Sequence, residues 1–264
     1  MLTPPLSIAL CGLLPSAPSG PGPREQIPWA RSAGFDAVHL NVAAPGVRPR
    51  ELDRSARRDL AAIIRREGLA LSGADLWLPP EHLLTPAHAD RALAALSAAI
   101  ELIAELSTLV HGTGVRSARP VLSTLLPPEL STDALDILAS AAEHAGIRIA
   151  DHALPPREPN PRIEPALAIG IDPAAALAAG FDPAALVSRL GDRLASARLS
   201  DISRTVGGGR VIPGSREGRI DLLAYAVSLT TAEFKAFLCI DTRSLPSHHA
   251  PETVLRLLRR DTSQ

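Results

Sequence analysis

Residues 167–202 read LAIGIDPAAALAAGFDPAALVSRLGDRLASARLSDI, and this stretch decides the fold. It opens on one apolar run, LAIGID (167–172), and closes on another, LASARLSDI (194–202), with a helix-like segment between them. Asp182-Pro183 supplies an N-cap and a first-turn proline, after which Leu186 and Leu190 recur four apart. Strand, helix and strand in this order predict a parallel βα unit. Near the end of each run sits one charged residue, Asp172 in the first and Arg198 in the second. An α/β barrel presents its chemistry in this way, because the run is buried and its carboxyl end opens into the site.

The same pattern extends in both directions. LSIALCG (6–12), FDAVHLNV (35–42), LALSGADLWL (69–78), ARPVLSTLL (118–126) and IRIADHAL (147–154) precede the decisive stretch, and AFLCID (236–241) follows it. Asp151 and Asp241 occupy the charged positions of the last two of these runs. Helix punctuation falls between the runs. Thr85-Pro86 starts a segment in which Leu93, Leu96, Ile100 and Ile103 share a face, Ser131 starts one that closes at Gly146, and Pro251 starts a last one. Eight runs alternating with helices predict one α/β domain over residues 1–264, a (β/α)8 TIM barrel. No linker separates two cores. The Pro-rich segments 15–23 and 155–165 follow the first and fifth runs, where barrel enzymes carry enlarged loops.

Composition narrows the function. With 27 basic against 28 acidic side chains the chain has no strong field for polyanions, so no nucleic acid is expected as a partner. No stretch reads as a membrane span, and the N-terminal apolar run lacks a basic leader and is broken by prolines. The expected location is the cytoplasm, with no membrane partner. Cys11 and Cys239 both fall in strand-like runs and read as reduced core residues, with a barrel-closing bridge as the alternative. Arg54, Arg57, Arg58, Arg65 and Arg66 read as a solvated outer helix face. A homo-oligomer remains open.

Strand alternation selects further candidates. Counting in twos places Cys239, Gly170 and Ser196 inside with Asp241, Asp172 and Arg198, and His39 with Asn41 inside on the second strand. Asp75 and Trp77 stand at the end of the third run, with Glu81 and His82 after it, in DLWLPPEH, where the indole offers a stacking surface for a sugar ring. Arg210 lies three residues before Pro213, and Gly207, Gly208 and Gly209 read as a loop hinge. His248 and His249 read as surface residues before a helix start.

Several segments resemble one family in order and spacing. IPWARSAGFDAVHL (27–40), REGLALSG (66–73), LLTPAHADRALAALSAAIELIAEL (83–106), DRLASARLSD (192–201) and RVIPGSREGRID (210–221) are similar to the sugar phosphate isomerase/epimerase superfamily. That superfamily has the xylose isomerase-like TIM barrel and also contains apurinic endonucleases of the family 2 type. The resemblance implies a ligand set for a divalent cation, Mn, Mg, Zn or Co, at the ends of the fifth to eighth strands. The positions it points to are Asp151, Asp172, Arg198 and Asp241, with Asp151, Asp172 and Asp241 as metal ligands. The catalytic candidates are then Asp151, Asp241 and Arg198, and the candidate contacts to a sugar or polyol are His39, Trp77, His152 and Arg210, the last standing where some members of the family hold substrate with an arginine.

Only Asp172 keeps the family's ligand type. Aspartates replace two glutamates, Arg198 replaces the histidine ligand, and Ala175 stands where a substrate-contacting histidine is usual. A guanidinium cannot coordinate a metal. A divalent ion about 4.5 Å from one meets a repulsion of about 7 kcal/mol at an effective dielectric of about 20. The expectation is therefore a metal-free site in which Arg198, flanked by Asp172 and Asp241, stands in for the cation; the alternative is a bound Mn, Mg, Zn or Co, with Arg198 swung away and His39 or His152 as ligand. Two readings follow: a sugar isomerase or epimerase with a degenerate metal site, or a catalytically inactive protein that binds a ligand or a partner.

Overall fold

The computed structural model describes residues 4–13, 22–112, 119–245, 251–253 and 255–256. Eight parallel strands close into one barrel: β1 (Leu6–Ala9), β2 (Ala37–Asn41), β3 (Ala70–Asp75), β4 (Val121–Thr124), β5 (Arg148–Asp151), β6 (Leu167–Ile171), β7 (Leu194–Leu199) and β10 (Leu238–Ile240). They follow chain order round the barrel, and β10 closes it by pairing Leu238 with Leu6 and Ile240 with Ile8. The eight apolar runs of the sequence are these eight strands. A short antiparallel pair, β8 (Asp201–Ile202) and β9 (Arg210–Val211), stands beyond the carboxyl end of β7. Gly207, Gly208 and Gly209 lie in the connection between its two strands.

The helices are α1 (Pro23–Ala33), α2 (Arg54–Arg66), α3 (Glu81–Leu84), α4 (Pro86–His111), α5 (Thr132–Ala145), α6 (Pro173–Ala178), α7 (Pro183–Leu190) and α8 (Leu222–Thr231). Their starts are fixed by side chains. Asp53, Ser131, Asp182 and Asp221 each accept a backbone N–H of the first turn, which contributes about 1 kcal/mol per cap. Thr85 sits at the start of α4 but makes no cap bond; its hydroxyl donates to Glu81 O instead. Contrary to the sequence expectation, α4 is long and apolar enough to cross a membrane by length and composition alone. Its Leu96, Ile100 and Ile103 are buried, and it packs on β3, β4, α2 and α5 as a helix of the outer layer. Arg57 also departs from the solvated face, since it reaches Glu105 on α4 at 2.6 Å.

The main core lies between strands and helices. Ile8, Val38, Leu40, Leu122, Ile149, Ile169 and Ile171 face outward into it. The inward faces are small and polar. Val121, Ala150, Ala168 and Ala195 form a separate apolar layer toward the amino end, with Ser7, Ser123, Ser196 and Cys239 also buried inside. Small walls leave room for long side chains, and Arg198 is the largest fully buried one.

Two bulges tune what faces inward. In β3 the register slips between Val38 and His39, so His39 pairs with Gly73 and Ser72 is the extra residue. Ser72 and Asp75 are three apart, and a straight strand would put them on opposite faces; the bulge turns both toward His39. Only glycine fits there, because a Cβ on Gly73, whose φ is +145°, would lie 2.0 Å from the Val121 carbonyl oxygen. The second bulge makes Ala195 the extra residue of β7. Cys11 lies beyond β1 rather than in it, and both thiols are free.

Candidate functional site

The barrel interior carries two charged clusters toward its carboxyl end. The deeper one is built on Arg198. Its guanidinium crosses the barrel from β7 to β3, where Nη2 meets Asp75 Oδ1 and Nη1 reaches Asp75 Oδ2 at 3.4 Å. Nη2 also lies 3.3 Å from His39 Nε2, and Nη1 lies 3.6 Å from Cys239 Sγ. Arg198, Asp75 and His39 are all buried. Ser72 Oγ lies 2.7 Å from Ser7 Oγ, 3.0 Å from Val38 O and 3.2 Å from His39 Nδ1, which anchors the imidazole. His39 Nε2 faces both Arg198 Nη2 and, at 3.4 Å, Asp75 Oδ1. Burial lowers the pKa of His39 against the pull of Asp75 and keeps the ring neutral. Burial alone would raise the Asp75 carboxyl, but the Arg198 guanidinium outweighs it and, with a hydrogen bond from His39, holds the group well below the usual carboxylate range.

This geometry corrects the expected partners of Arg198. Neither Asp172 nor Asp241 touches it; a long side chain projecting from an inward position spans the barrel instead of running along the wall to its neighbours.

Asp172 and Asp241 belong to the upper cluster, where two other arginines hold them. Arg243, in the turn after β10, donates from its backbone N–H to Asp241 Oδ1 at 2.9 Å. Its Nε lies within 3.0 Å of both Asp241 oxygens, and its Nη2 meets Asp172 Oδ2 at 2.9 Å. Arg210, on β9, meets Asp172 Oδ2 with Nη2 and lies 3.4 Å from Asp241 Oδ2 with Nη1. The four charges form a closed ring. Asp172 Oδ1 accepts from Ser200 Oγ at 2.6 Å and from the Ala175 backbone at the start of α6. Burial pushes the Asp241 carboxyl up, but hydrogen bonds and charge from Arg243, with Arg198 and Arg210 behind, hold it below its usual value. Asp201 positions the loop that carries Arg210: its buried Oδ1 accepts from the backbone of Ile202, Arg219 and Ile220.

Trp77 and His152 complete this upper level. The Arg243 guanidinium lies 4.2 Å from the Trp77 ring centre, and the His152 ring meets Trp77 edge-on at 5.3 Å. His152 sits directly on Gly170, where a Cβ would come 2.2 Å from its Nε2. Burial first, then Arg198 and Arg243, lower its pKa well below the ordinary value, so it is neutral. Among the described residues both His152 ring nitrogens and Trp77 Nε1 are buried without a hydrogen-bond partner. Orphaned polar atoms of this kind cost free energy unless a ligand or water meets them.

Asp151 does not join either cluster. It shares strand parity with Ile149, which faces the outer core, while His152 shares parity with Ala150 inside. Its carboxylate accepts from Leu126 N and Ala153 N at 3.0 Å and from Arg157 Nε at 2.8 Å, pinning the loop after β5. Burial nonetheless raises its pKa above the usual value. Glu81 and His82 are exposed on α3, apart from the clusters. His248 and His249 and most of segment 15–23 lie outside the described residues.

The donor set does not fit a divalent cation. The Asp172 and Asp241 oxygens that would face a metal are spent on two guanidiniums, Arg198 lies beneath them, and Asp151 points away. An ion entering this ring would have to displace Arg210 and Arg243 and then stand beside their charges.

No protein-family model matches this sequence, and no curated protein is similar to it. Solved structures match the whole fold. A xylose isomerase domain protein from Planctomyces limnophilus superposes with a TM-score of 0.69 at 15% identity over 99% of this chain and 97% of its own. D-psicose 3-epimerase, solved with D-fructose, gives 0.70 at 11% identity over 97% and 98%. A probable 3-DHS dehydratase from Bacillus anthracis gives 0.67 at 10% identity over 97% and 98%. The architecture is that of the xylose isomerase-like TIM barrels, as the sequence resemblance implies. At these identities the likeness speaks for the fold.

Proposed function

We propose that this protein binds a small sugar or polyol at the carboxyl mouth of the barrel without a metal ion, with Arg210, Arg243, Trp77 and His152 as its contacts. The observation that carries the reading is the ring of Asp172, Asp241, Arg210 and Arg243, which fills the place of a cation and presents unspent donors beside an indole. Hydroxyl groups suit such a surface, since each both donates and accepts and can meet His152 and Trp77 Nε1 without a buried net charge. That several similar folds belong to sugar epimerases, one solved with D-fructose, adds to the reading by analogy.

Within this reading the binding role outranks turnover. Proton transfer beside a carbonyl needs a base whose pKa lies near the working pH. Asp241 is held by Arg243, and His152 is weakened as a base by burial and by Arg198 and Arg243. The protein is placed in the cytoplasm by the same proposal.

Calorimetric titration with D-fructose and related ketohexoses, in EDTA and again in Mn, tests it. Binding that is equal in the two buffers, lost in Arg243→Ala and accompanied by no interconversion of the sugar is the expected result. Mn-dependent binding or turnover would overturn the metal-free reading.

A further inference from the structure

The opposite end of the barrel holds a second opening. A cavity of about 840 Å³ enters from the amino-terminal face beside α7 and α8, and Val121 and Ala195 of the small inner layer lie at its inner wall. Leu194, Phe234 and Ala236 add apolar surface, and Arg119, Arg148 and Lys235 supply cations.

Arg148 sets this cavity apart. It stands at the inward-facing start of β5, and its guanidinium donates only to main-chain carbonyls: Pro165 O at 3.1 Å, Asp192 O at 3.2 Å and Leu194 O at 3.4 Å. It makes no ion pair among the described residues. The carboxylates nearby are otherwise placed, Glu164 on Arg193 at 2.7 Å, Glu143 on Arg119 at 3.4 Å and Glu233 on Lys235 at 3.7 Å, while Asp192 is exposed. Three of the five guanidinium N–H groups are spent on carbonyls, and Asp192 and Glu164 act on the charge without a direct ion pair. Burial and then the like charge of Arg119 push its pKa down, and Asp192 and Glu164 offset this only in part. The sugar-like site at the mouth uses none of these residues.

We infer that this cavity is a second ligand site, taking a small amphipathic anion whose carboxylate or phosphate head meets Arg148 and Arg119 and whose apolar body lies against Val121, Ala195 and Phe234. A guanidinium with free N–H groups favours an oxyanion head. The small inner residues leave depth for a tail that bulkier barrel interiors fill.

The test is calorimetric titration with octanoate, with 1-octanol as its uncharged counterpart and with inorganic phosphate as a head without a tail. Octanoate should bind saturably at one per chain, with octanol and phosphate each at least about tenfold weaker, one charge-assisted contact or the tail's burial being lost. Arg148→Gln should weaken octanoate by about tenfold or more. Should Arg148→Gln fail to fold by circular dichroism, Arg119→Gln with Lys235→Gln, both exposed positions, should lower affinity several-fold. Arg243→Ala, at the other end, should leave octanoate binding unchanged. Absence of saturable binding, equal affinity for octanol, or loss in Arg243→Ala with retention in the charge variants would each overturn the inference. None of these outcomes depends on whether the mouth binds sugars.

Discussion

Two guanidinium–carboxylate clusters lie one above the other in this barrel, and they meet water differently. Arg198 and Asp75 are wholly buried, with His39 closing the set. Arg210 and Arg243 keep about a fifth of their side-chain surface exposed while they bridge Asp172 and Asp241. A sealed pair answers to the low dielectric round it: breaking it strands a charge. A half-open ring exchanges its bonds with water and ligand at smaller cost. The lower cluster therefore fills and stiffens the barrel, and the upper one is available for binding.

The largest effect should come from breaking the sealed pair. Arg198→Ala leaves Asp75 buried and unpaired, and unfolding should show a loss of about 3 to 5 kcal/mol. Arg198→Met with Asp75→Asn should recover a large part of it, because both charges then leave together. If instead Arg198→Ala couples in a double-mutant cycle to Asp172→Asn and not to Asp75→Asn, the pairing described above is wrong.

Acid separates the clusters next. His39 and His152 are held neutral in the fold, with pKa values below those of the unfolded chain. Groups with depressed folded values contribute stability above the unfolded pKa, near about 6.5 for histidine, and lose it as pH falls. Two such protons give a slope of up to about 2.7 kcal/mol per pH unit below that point. Asp75, also depressed, adds its loss lower, near and below about pH 4, whereas Asp151, raised by burial, acts in the opposite sense there. Denaturant melts from pH 7 to 4 check this, and His152→Phe should flatten the slope. An unchanged slope in that variant would exclude His152 as a source of it.

The smallest stability effect belongs to the upper ring. Arg243→Ala should cost about 1 to 2 kcal/mol, since Arg210 still bridges both aspartates. The same change removes the nearer of two cations over Trp77 and should abolish the proposed sugar binding. A loss as large as that of Arg198→Ala would erase the distinction between the two levels.

The division between what the sequence revealed and what it hid follows from geometry. Buried parallel strands are continuous apolar runs, so all eight were legible, and with them the inward placement of His39, Asp172, Arg198 and Asp241. Asp75 was not read as facing inward because the bulge at Ser72 and Gly73, which restores its inward parity, leaves no apolar signature. Arg243 was missed because it lies in the turn after a strand, where side-chain direction has no period. Its signal is the spacing Asp241–Thr242–Arg243, which lets one arginine fold back on the preceding aspartate. Asp151 was legible and misassigned: Ile147, Ile149 and Asp151 share one parity, and His152 belongs to the other. Arg198 was correctly placed inside, but a side chain of its length reaches the far wall, and sequence spacing does not say which neighbour it meets.

Arginines occupy Asp172 and Asp241, and the metal-free proposal depends on their staying there when a divalent cation is offered. Titration of Mn into wild type and into Arg210→Ala with Arg243→Ala, followed by calorimetry and thermal unfolding, tests this most directly. Wild type should take up no stoichiometric Mn and melt identically in Mn and EDTA, as should Arg198→His, whose imidazole would still lie below aspartates held by Arg210 and Arg243. Removing both upper arginines should create Mn binding and a metal-dependent rise in the melting temperature. Stoichiometric, stabilising Mn binding by wild type would contradict the account.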